Sequence, residues 1–412
     1  MNTAMQMPKL PKRWTLEQPQ LGTAPLPVEP YISQKYFDAM RDRVWKKVWV
    51  CTGKRVEDIP SPGDYFVWDF DMVGAQLIVV RGLDGVIRSH HNICMHRANK
   101  LTVHPRGSCK GKLVCSYHGW AYALDGKLAT MTEQDMFYPT DRKSLDLNSV
   151  ATDIWAGFVF INMDPNPKQT LREHLGGVVD LFDGYPFDQL PVAWSYTAQL
   201  NGAWAIGRDS QLEGYHLKYL HKRTSPGVMS YTEDPDRHSL DFKLIGPHSV
   251  GSFFGTRSEA TLPPVARAAA GIGQTLGSTA SALSDVNTWP VGVNPTRNKD
   301  WFFDVGYIFP NLHLIFLGHH AYIGHTFLPK TVNTSKWNAR AYMPAPKTLV
   351  EQWAREGART AVRDLWLEDG STIEGTQKNL DSGVFKFMQI QDQEIMIRHA
   401  DKVMSDMMGD WQ

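Results

Sequence analysis

The sequence predicts an α+β protein: a small antiparallel β unit, then a larger unit whose antiparallel sheet is covered by helices. Three observations carry that expectation. From Gly63 to about Asp164 the chain runs as short β-type segments broken by glycine turns. After Asn166 longer strand patterns mix with helical ones, and two helical patterns close the chain, which is how helices gather on one face of a sheet. The 412 residues are 42% hydrophobic and 21% charged, enough apolar material for two or three cores and unlike a disordered chain.

Several function classes are disfavoured at once. Lys plus Arg is 43 and Asp plus Glu is 43, so no net charge draws the chain to nucleic acid or an anionic membrane. The opening MNTAMQMPKLPKRW has no apolar run of the secretory kind. The longest apolar stretches, such as Leu77–Val80 and Phe158–Ile161, are strand-sized and far from a membrane span. Four cysteines are too few for a disulfide framework, and two of them stand beside histidines. That points to metal binding in a reducing compartment and a cytoplasmic protein.

In chain order, the proline-rich residues 1 to about 30 read as an extended arm. Ser33–Val50, with Tyr36, Met40, Val44 and Val48 at helical spacing, reads as an amphipathic helix. Strands follow at Tyr65–Trp68, Ala75–Val80, Val86–Ser89, Leu113–Cys115, Trp120–Leu124 and Gly157–Met163, with turns at Leu83–Gly85 and Asp125–Gly126. The second unit is expected to hold strands at Ala193–Leu200, Ser239–Ile245, Phe302–Phe309, Leu312–Leu317, Tyr322–Leu328 and Trp337–Met343. Helices are expected at about Ile206–Leu220, Thr348–Leu367 and Val384–Met404. The stretch Pro264–Asp285, rich in Ala, Gly, Ser and Thr, reads either as a surface excursion or as a lid over a pocket. The division expected is 1–45 for arm and helix, 46–165 for the β unit and 166–412 for the larger one.

The most informative stretch is Cys94-Met95-His96, followed after a spacer by Cys115-Ser116-Tyr117-His118. Each loop offers one thiolate and one imidazole. A Rieske [2Fe–2S] cluster takes two Cys on one iron and two His on the other, so two such loops can clamp it from both sides. Structural zinc accepts the same donors, but zinc fingers place a Cys pair on one arm and a His pair on the other. Cys51 and Cys109 have no partner at ligand spacing and read as ordinary thiols. His90, His91 and His104 read as packing or surface histidines. With C-x-H and C-x2-H inside a small β unit, the sequence resembles the Rieske ring-hydroxylating oxygenases, and the resemblance runs from about Pro30 to Val403.

The second constellation is Asp209-Ser210-Gln211-Leu212-Glu213-Gly214-Tyr215-His216, continuing to His221. Two imidazoles and a carboxylate form the facial triad of non-heme Fe(II) oxygenases. His216 and His221 are five residues apart, about 140° around an ideal helix. They share a metal only if the helix ends near His221, and Pro226-Gly227 supplies such an end. Glu213 and His216, at i and i+3, share one face. This E-x-x-H-x4-H run is similar to the family's catalytic motif. The resemblance implies that Glu213 bonds His216 and reaches a cluster histidine, His118, of a neighbouring subunit, although the family more often has Asp there. Glu213 and Asp209 are the catalytic candidates.

The resemblance also implies a third ligand from a late helix. Asp392, Glu394 and Asp401 compete for it. Asp392 falls on the apolar stripe of Met388, Ile395, Met396, Val403 and Met404, and Gln391-Asp392 resembles the family's acidic motif, whereas Glu394 faces Arg398 and Lys402. The expected ligands are therefore His216, His221 and Asp392 for mononuclear Fe(2+), and Cys94, His96, Cys115 and His118 for the cluster.

By the same resemblance the catalytic domain is of the helix-grip type. The partners implied are a reductase, with or without a ferredoxin, O₂ and a small apolar organic substrate. The assembly implied is a homotrimer or a trimer with a small beta subunit. No G-x-G-x-x-G follows a strand, so the chain does not bring its own reductase domain. The expected function is oxygen insertion into an aromatic or polycyclic substrate. Its rivals are a monooxygenase acting on a quaternary ammonium compound or removing an alkyl group, a Rieske electron carrier without oxygenase activity, and a zinc-stabilised binding protein.

Overall fold

The computed structural model describes residues 13–224, 239–255, 286–318 and 320–411. The Pro264–Asp285 stretch lies outside these residues. Ten strands build the first unit: β1 (Val50–Arg55), β2 (Asp64–Phe70), β3 (Ala75–Arg81), β4 (Ile87–His91), β5 (Arg106–Ser108), β6 (Lys112–Val114), β7 (Ala121–Ala123), β8 (Leu128–Thr130), β9 (Ser149–Trp155) and β10 (Phe158–Asn162). They form a seven-stranded antiparallel sheet in the order β1-β10-β9-β4-β3-β2-β5 and a three-stranded one, β6-β7-β8. The small sheet sits over its own core, where Ile78, Val80, Leu113, Trp120, Tyr122 and Leu128 pack around Cys94 and Cys115.

The second unit is a seven-stranded antiparallel sheet. Its strands are β11 (Val192–Leu200), β12 (Ser239–Ile245), β13 (His248–Phe254), β14 (Trp301–Ile308), β15 (Leu312–Phe316), β16 (Tyr322–Thr331) and β17 (Thr334–Tyr342), in the order β11-β17-β16-β15-β14-β13-β12. This is the α+β arrangement expected. Strand β13 was not anticipated, because six of its seven residues are buried and no in–out alternation marks it. β1 lies against β16, and there Arg55 is buried, donating to Tyr322 Oη, Phe187 O, Ala156 O and the Glu57 carboxylate.

Helices α1 (Gln34–Met40), α2 (Trp204–Ser210), α3 (Leu217–Leu220), α4 (Leu349–Leu380) and α5 (Ile395–Met408) complete the frame. Ser33 caps α1, which runs on through one π-turn to Trp45 and stops before β1, short of the Val50 expected. No described helix is long and apolar enough to cross a membrane. The arm is not simply extended: it forms helical turns at Trp14–Glu17 and Glu29–Ile32, and Leu26–Pro27 pairs with Phe387–Met388.

Three helical expectations are corrected, and each correction bears on the site. The single helix at 206–220 is two short ones, α2 and α3, parted by Gln211–His216. The helix expected to stop at Leu367 runs on to Leu380. Gly370, Ser371 and Gly375 weaken its local signal, yet Trp366, Asp369, Ile373, Gln377 and Leu380 form a buried stripe that tertiary packing holds helical. The helix expected from Val384 begins only at Ile395, after a 3₁₀ turn at Asp392–Glu394.

Gly207 lets α2 lie flat on the sheet. A Cβ there would meet the Phe327 ring at 2.4 Å, and Phe327 is fully buried and stacked on Trp337. Gly207→Ala should therefore cost about 1–3 kcal/mol, the usual penalty of overpacking. A thermal unfolding midpoint equal to the parent's would show that α2 is free to shift.

Candidate metal centres

The two Cys–His loops share one backbone frame. In the first, Cys94 N donates to Asn99 O and Ala98 N to Cys94 O; in the second, Cys115 N donates to Trp120 O and Gly119 N to Cys115 O. The fifth residue of each turn is left-handed, Ala98 at φ 58° and Gly119 at φ 75°. Within that common frame the histidine stands two residues after the cysteine in one loop and three after it in the other. The rings therefore converge, with His96 Nδ1 and His118 Nδ1 3.1 Å apart.

Both cysteines are buried, and both histidines lie nearer the surface. Tyr122 Oη sits 3.4 Å from Cys94 Sγ and accepts from Met95 N. Asn99 Nδ2 points at Cys115 Sγ at 3.6 Å. Burial pushes the Cys94 thiol up, whereas the donors aimed at Cys115, from Tyr117, Asn99 and His118, outweigh its burial and bring it down. Trp120 stacks on His96 with ring centroids 4.9 Å apart. A buried sulfur pair with a converging imidazole pair outside it is the donor set of a Rieske cluster.

The second centre joins α3 to α4. His216 caps the start of α3 and His221 its end. The break before α3 solves the angular problem, since the two rings come from opposite ends of one turn and reach centroids 5.2 Å apart. Gly214 lets the segment between the helices pack closely on β13, because a Cβ there would lie 2.8 Å from the Phe253 ring. The carboxylate that meets them is Asp369 on α4. Its Oδ1 is 3.2 Å from His221 Nε2 and 3.8 Å from His216 Nε2. Among the described residues these three form a group whose ligand atoms all lie within 4.8 Å of one another.

His221 Nε2 and Asp369 Oδ1 are buried without a hydrogen-bond partner. Leaving such atoms bare is costly, and a cation between them removes the cost, so the residues present fit a bound metal. Each imidazole has its own outer carboxylate. His216 Nδ1 donates to Glu213 Oε1, and Glu213 Oε2 accepts from the backbone N–H of Tyr215 and His216. His221 Nδ1 donates to Glu368 Oε2 at 2.9 Å, an oxygen that also accepts from Thr224 Oγ1 at 2.7 Å. This fixes the tautomer that leaves both Nε2 lone pairs toward Asp369. Burial works against a charged His216, but the Glu213 carboxylate overcomes it and raises the imidazole.

Asp392 is not in this group, which corrects the expectation. Its oxygens accept from Trp14 N (2.8 Å), Thr15 N (3.0 Å) and Thr15 Oγ1 (2.6 Å), tying the arm to the C-terminal turn. The inward carboxylate there satisfies an arm rather than a metal. Asp209 is also outside the trio: it takes Arg208 Nε at 2.7 Å and Tyr31 Oη at 2.6 Å in a buried ion pair. Glu394 does not face open solvent. Burial, with Glu213 and Asp209 nearby, pushes its carboxyl up to about 7. Asp369 and Glu368 were missed because the reading ended their helix at Leu367. The three- and four-residue spacing of Trp366, Asp369 and Ile373 was the available signal.

Residues 187–410 match the family model "Ring hydroxylating alpha subunit (catalytic domain)", and residues 48–144 match "Rieske [2Fe-2S] domain". The carnitine monooxygenase oxygenase subunit of Escherichia coli (strain K12) is 31% identical over 204 residues, 49% of this chain and 54% of that protein. The glycine betaine monooxygenase oxygenase subunit of Pseudomonas aeruginosa (strain UCBPP-PA14) is 28% identical over 220 residues, 53% of this chain and 50% of that one. The chain thus spans about half the length of the curated relatives it matches. A solved quaternary ammonium Rieske monooxygenase superposes with a TM-score of 0.72 at 20% identity, covering 92% of this chain and 93% of that one. Naphthalene 1,2-dioxygenase from Rhodococcus sp. superposes at 0.71 and 17% identity, covering 93% and 94%. Both share the fold.

Proposed function

Because the chain belongs to the ring-hydroxylating oxygenase alpha subunits, with the catalytic-domain match alone spanning more than half of it, we propose that it is an oxygenase component. In this reading it takes electrons from a reductase, directly or through a ferredoxin, and inserts O₂-derived oxygen into a small organic substrate. Residues 46–165 are the electron-accepting part and 166–412 the catalytic part. The observation that carries the reading is the presence in one chain of both donor sets, the Cys94–His96–Cys115–His118 loops and the His216–His221–Asp369 trio.

When bound, a [2Fe–2S] cluster in the loops supplies single electrons and a ferrous ion in the trio supplies the open positions that O₂ activation needs. The residues do the rest. Glu213 and Glu368 hold the Nδ1 protons of the two ligand histidines, so each ring presents its lone pair inward. Three hydrogen bonds leave Glu213 one lone pair on Oε1, and in a trimer this would reach His118 of a neighbouring copy, so that electrons cross between subunits. Tyr122 and Asn99 steady the sulfur ligands.

The substrate class proposed is aromatic or polycyclic. A second reading, a quaternary ammonium compound, is favoured by the relatives acting on carnitine and glycine betaine. Anaerobically purified protein tests the machinery: about three irons and two sulfides per chain, with a His-ligated cluster signal on reduction, is the expected result. Two irons and two sulfides that added Fe(II) does not raise would leave an electron carrier, and zinc without sulfide would overturn the reading. Reductase-coupled O₂ uptake with naphthalene, 2-aminobenzenesulfonate, L-carnitine and glycine betaine then decides the class.

A further inference from the structure

Asp369 rides on α4, and three residues before it on the same buried face stands Trp366, about 4.5 Å away along the helix axis. The indole is packed among three other rings. Tyr196 of β11 meets it edge-on with centroids 5.6 Å apart, His325 of β16 at 5.1 Å, and Trp337 of β17 at 6.1 Å. Separations of this size are ring contact. Two of the three neighbours are closed in: His325 and Trp337 are buried, and Trp337 Nε1 donates to His325 Nδ1 at 2.9 Å. Tyr196 differs. It is half-buried, and its hydroxyl accepts from Nε of the exposed Arg359 at 3.1 Å.

Rings in contact have a plainer meaning, since aromatic side chains fill cores. What sets this row apart is its order. An indole stands one turn from the carboxylate of the trio, a phenol touches it, and the phenol's hydroxyl lies at the edge of the protein. Indole and phenol give up an electron more readily than other uncharged side chains, and a phenol at the surface can release its proton to water. An iron that handles O₂ gives such a row a use. When electrons arrive without substrate, O₂ is reduced to hydrogen peroxide, and peroxide with ferrous iron oxidises whatever lies nearest, the ligands first.

We propose that Trp366 and Tyr196 form a path that carries electrons from the surface to the trio and protects its ligands against hydrogen peroxide. The proposal rests on the reading that the trio holds ferrous iron. One hydrogen peroxide, one proton, ferrous iron and the Tyr196 phenol become two waters, ferric iron and the Tyr196 phenoxyl radical. The O–O bond breaks, iron and Tyr196 are each oxidised by one electron, and Trp366 relays its electron and ends unchanged. A small reductant of the ascorbate class then returns a hydrogen atom to Tyr196.

The test mixes substrate-free, full-length holoprotein with hydrogen peroxide, and compares the parent with Tyr196→Phe, Trp366→Phe and a control, Trp337→Phe. EPR on freeze-quenched samples reads the radical, assigned with ring-deuterated tyrosine. Peptide mass spectrometry reads where oxygen has been added. The parent should give a tyrosyl signal that protein chelated to leave only its cluster does not. Tyr196→Phe should abolish the signal, and Trp366→Phe should remove most of it. In both variants oxidation should move to the peptides carrying His216 and His221, and iron should be lost sooner. Trp337→Phe should match the parent, because it leaves the contact between Trp366 and Tyr196 in place.

A radical that survives in Tyr196→Phe, or no radical in the parent, overturns the proposal. So does damage to His216 and His221 that neither variant increases. Tyr215 and Tyr219 are exposed beside the histidines, at 48% and 57%. A signal lost with Tyr215→Phe or Tyr219→Phe instead overturns the proposal as well and puts the route on the histidine side. Should Trp366→Phe purify without its iron, Tyr196→Phe decides alone. A parent that binds no mononuclear iron fails the iron reading, and the route falls with it.

Discussion

Asp369→Ala is expected to strip the mononuclear iron and stop oxygenation, while Asp392→Ala leaves both in place. Among the described residues, Asp369 supplies the carboxylate oxygen that lies beside both Nε2 atoms. Its loss leaves two neutral imidazoles to hold a hard divalent ion alone. Turnover should fall below about 1% of the parent, a barrier change of roughly 2.7 kcal/mol or more. Iron should drop by one per chain with the cluster EPR signal unchanged. Asp392→Ala removes three hydrogen bonds to the arm and should cost stability, about 1–3 kcal/mol, but no iron. Iron loss from the Asp392 variant, with iron retained in the Asp369 variant, would reverse the assignment.

The outer carboxylates should separate into two phenotypes. Glu368→Gln weakens the acceptor on His221 Nδ1 and the link to Thr224. Its expected effect is a loss of iron affinity of about 10–100-fold, typical for such partners. Glu213→Gln keeps a carbonyl facing His216 but removes the charge that raises that imidazole. If Glu213 also bridges to a neighbouring cluster, its variant should keep all metals and yet oxidise the pre-reduced cluster far more slowly in a single turnover. Both metals retained with an unchanged cluster oxidation rate would remove Glu213 from the electron path, and unchanged iron binding would remove Glu368 from the support of the site.

How much of this was legible follows from where the signals live. The four proposed cluster donors could be picked out because they fall in two short loops, and loop chemistry is local; the structure brings them together. His216, His221 and Glu213 were readable for the same reason. The spacing implied an end near His221, where α3 does stop, but not the break at Gln211–His216. Asp369 was hidden. Glycines and small polar residues after Leu367 argue locally for an end, and only packing of Trp366, Ile373, Gln377 and Leu380 against the rest of the fold keeps that helix going. Asp392 misled because an inward acid needs a partner, and the partner was a stretch of arm nearly four hundred residues away in sequence. Strand β13 lacked alternation because both of its faces are covered.

The trio draws its ligands from elements of very unequal permanence. The two imidazoles bracket a helix of four residues, and the carboxylate rides near the middle of one of thirty-two whose inner face is buried over several turns. A single turn opens at little cost, whereas a long docked helix gives way only with the body of the domain. Metal entry and escape are therefore matters of local breathing. If the trio holds iron as proposed, the apo protein should keep Asp369 in place and regain iron on adding Fe(II) without passing through global unfolding, which hydrogen exchange at α3 and α4 would show.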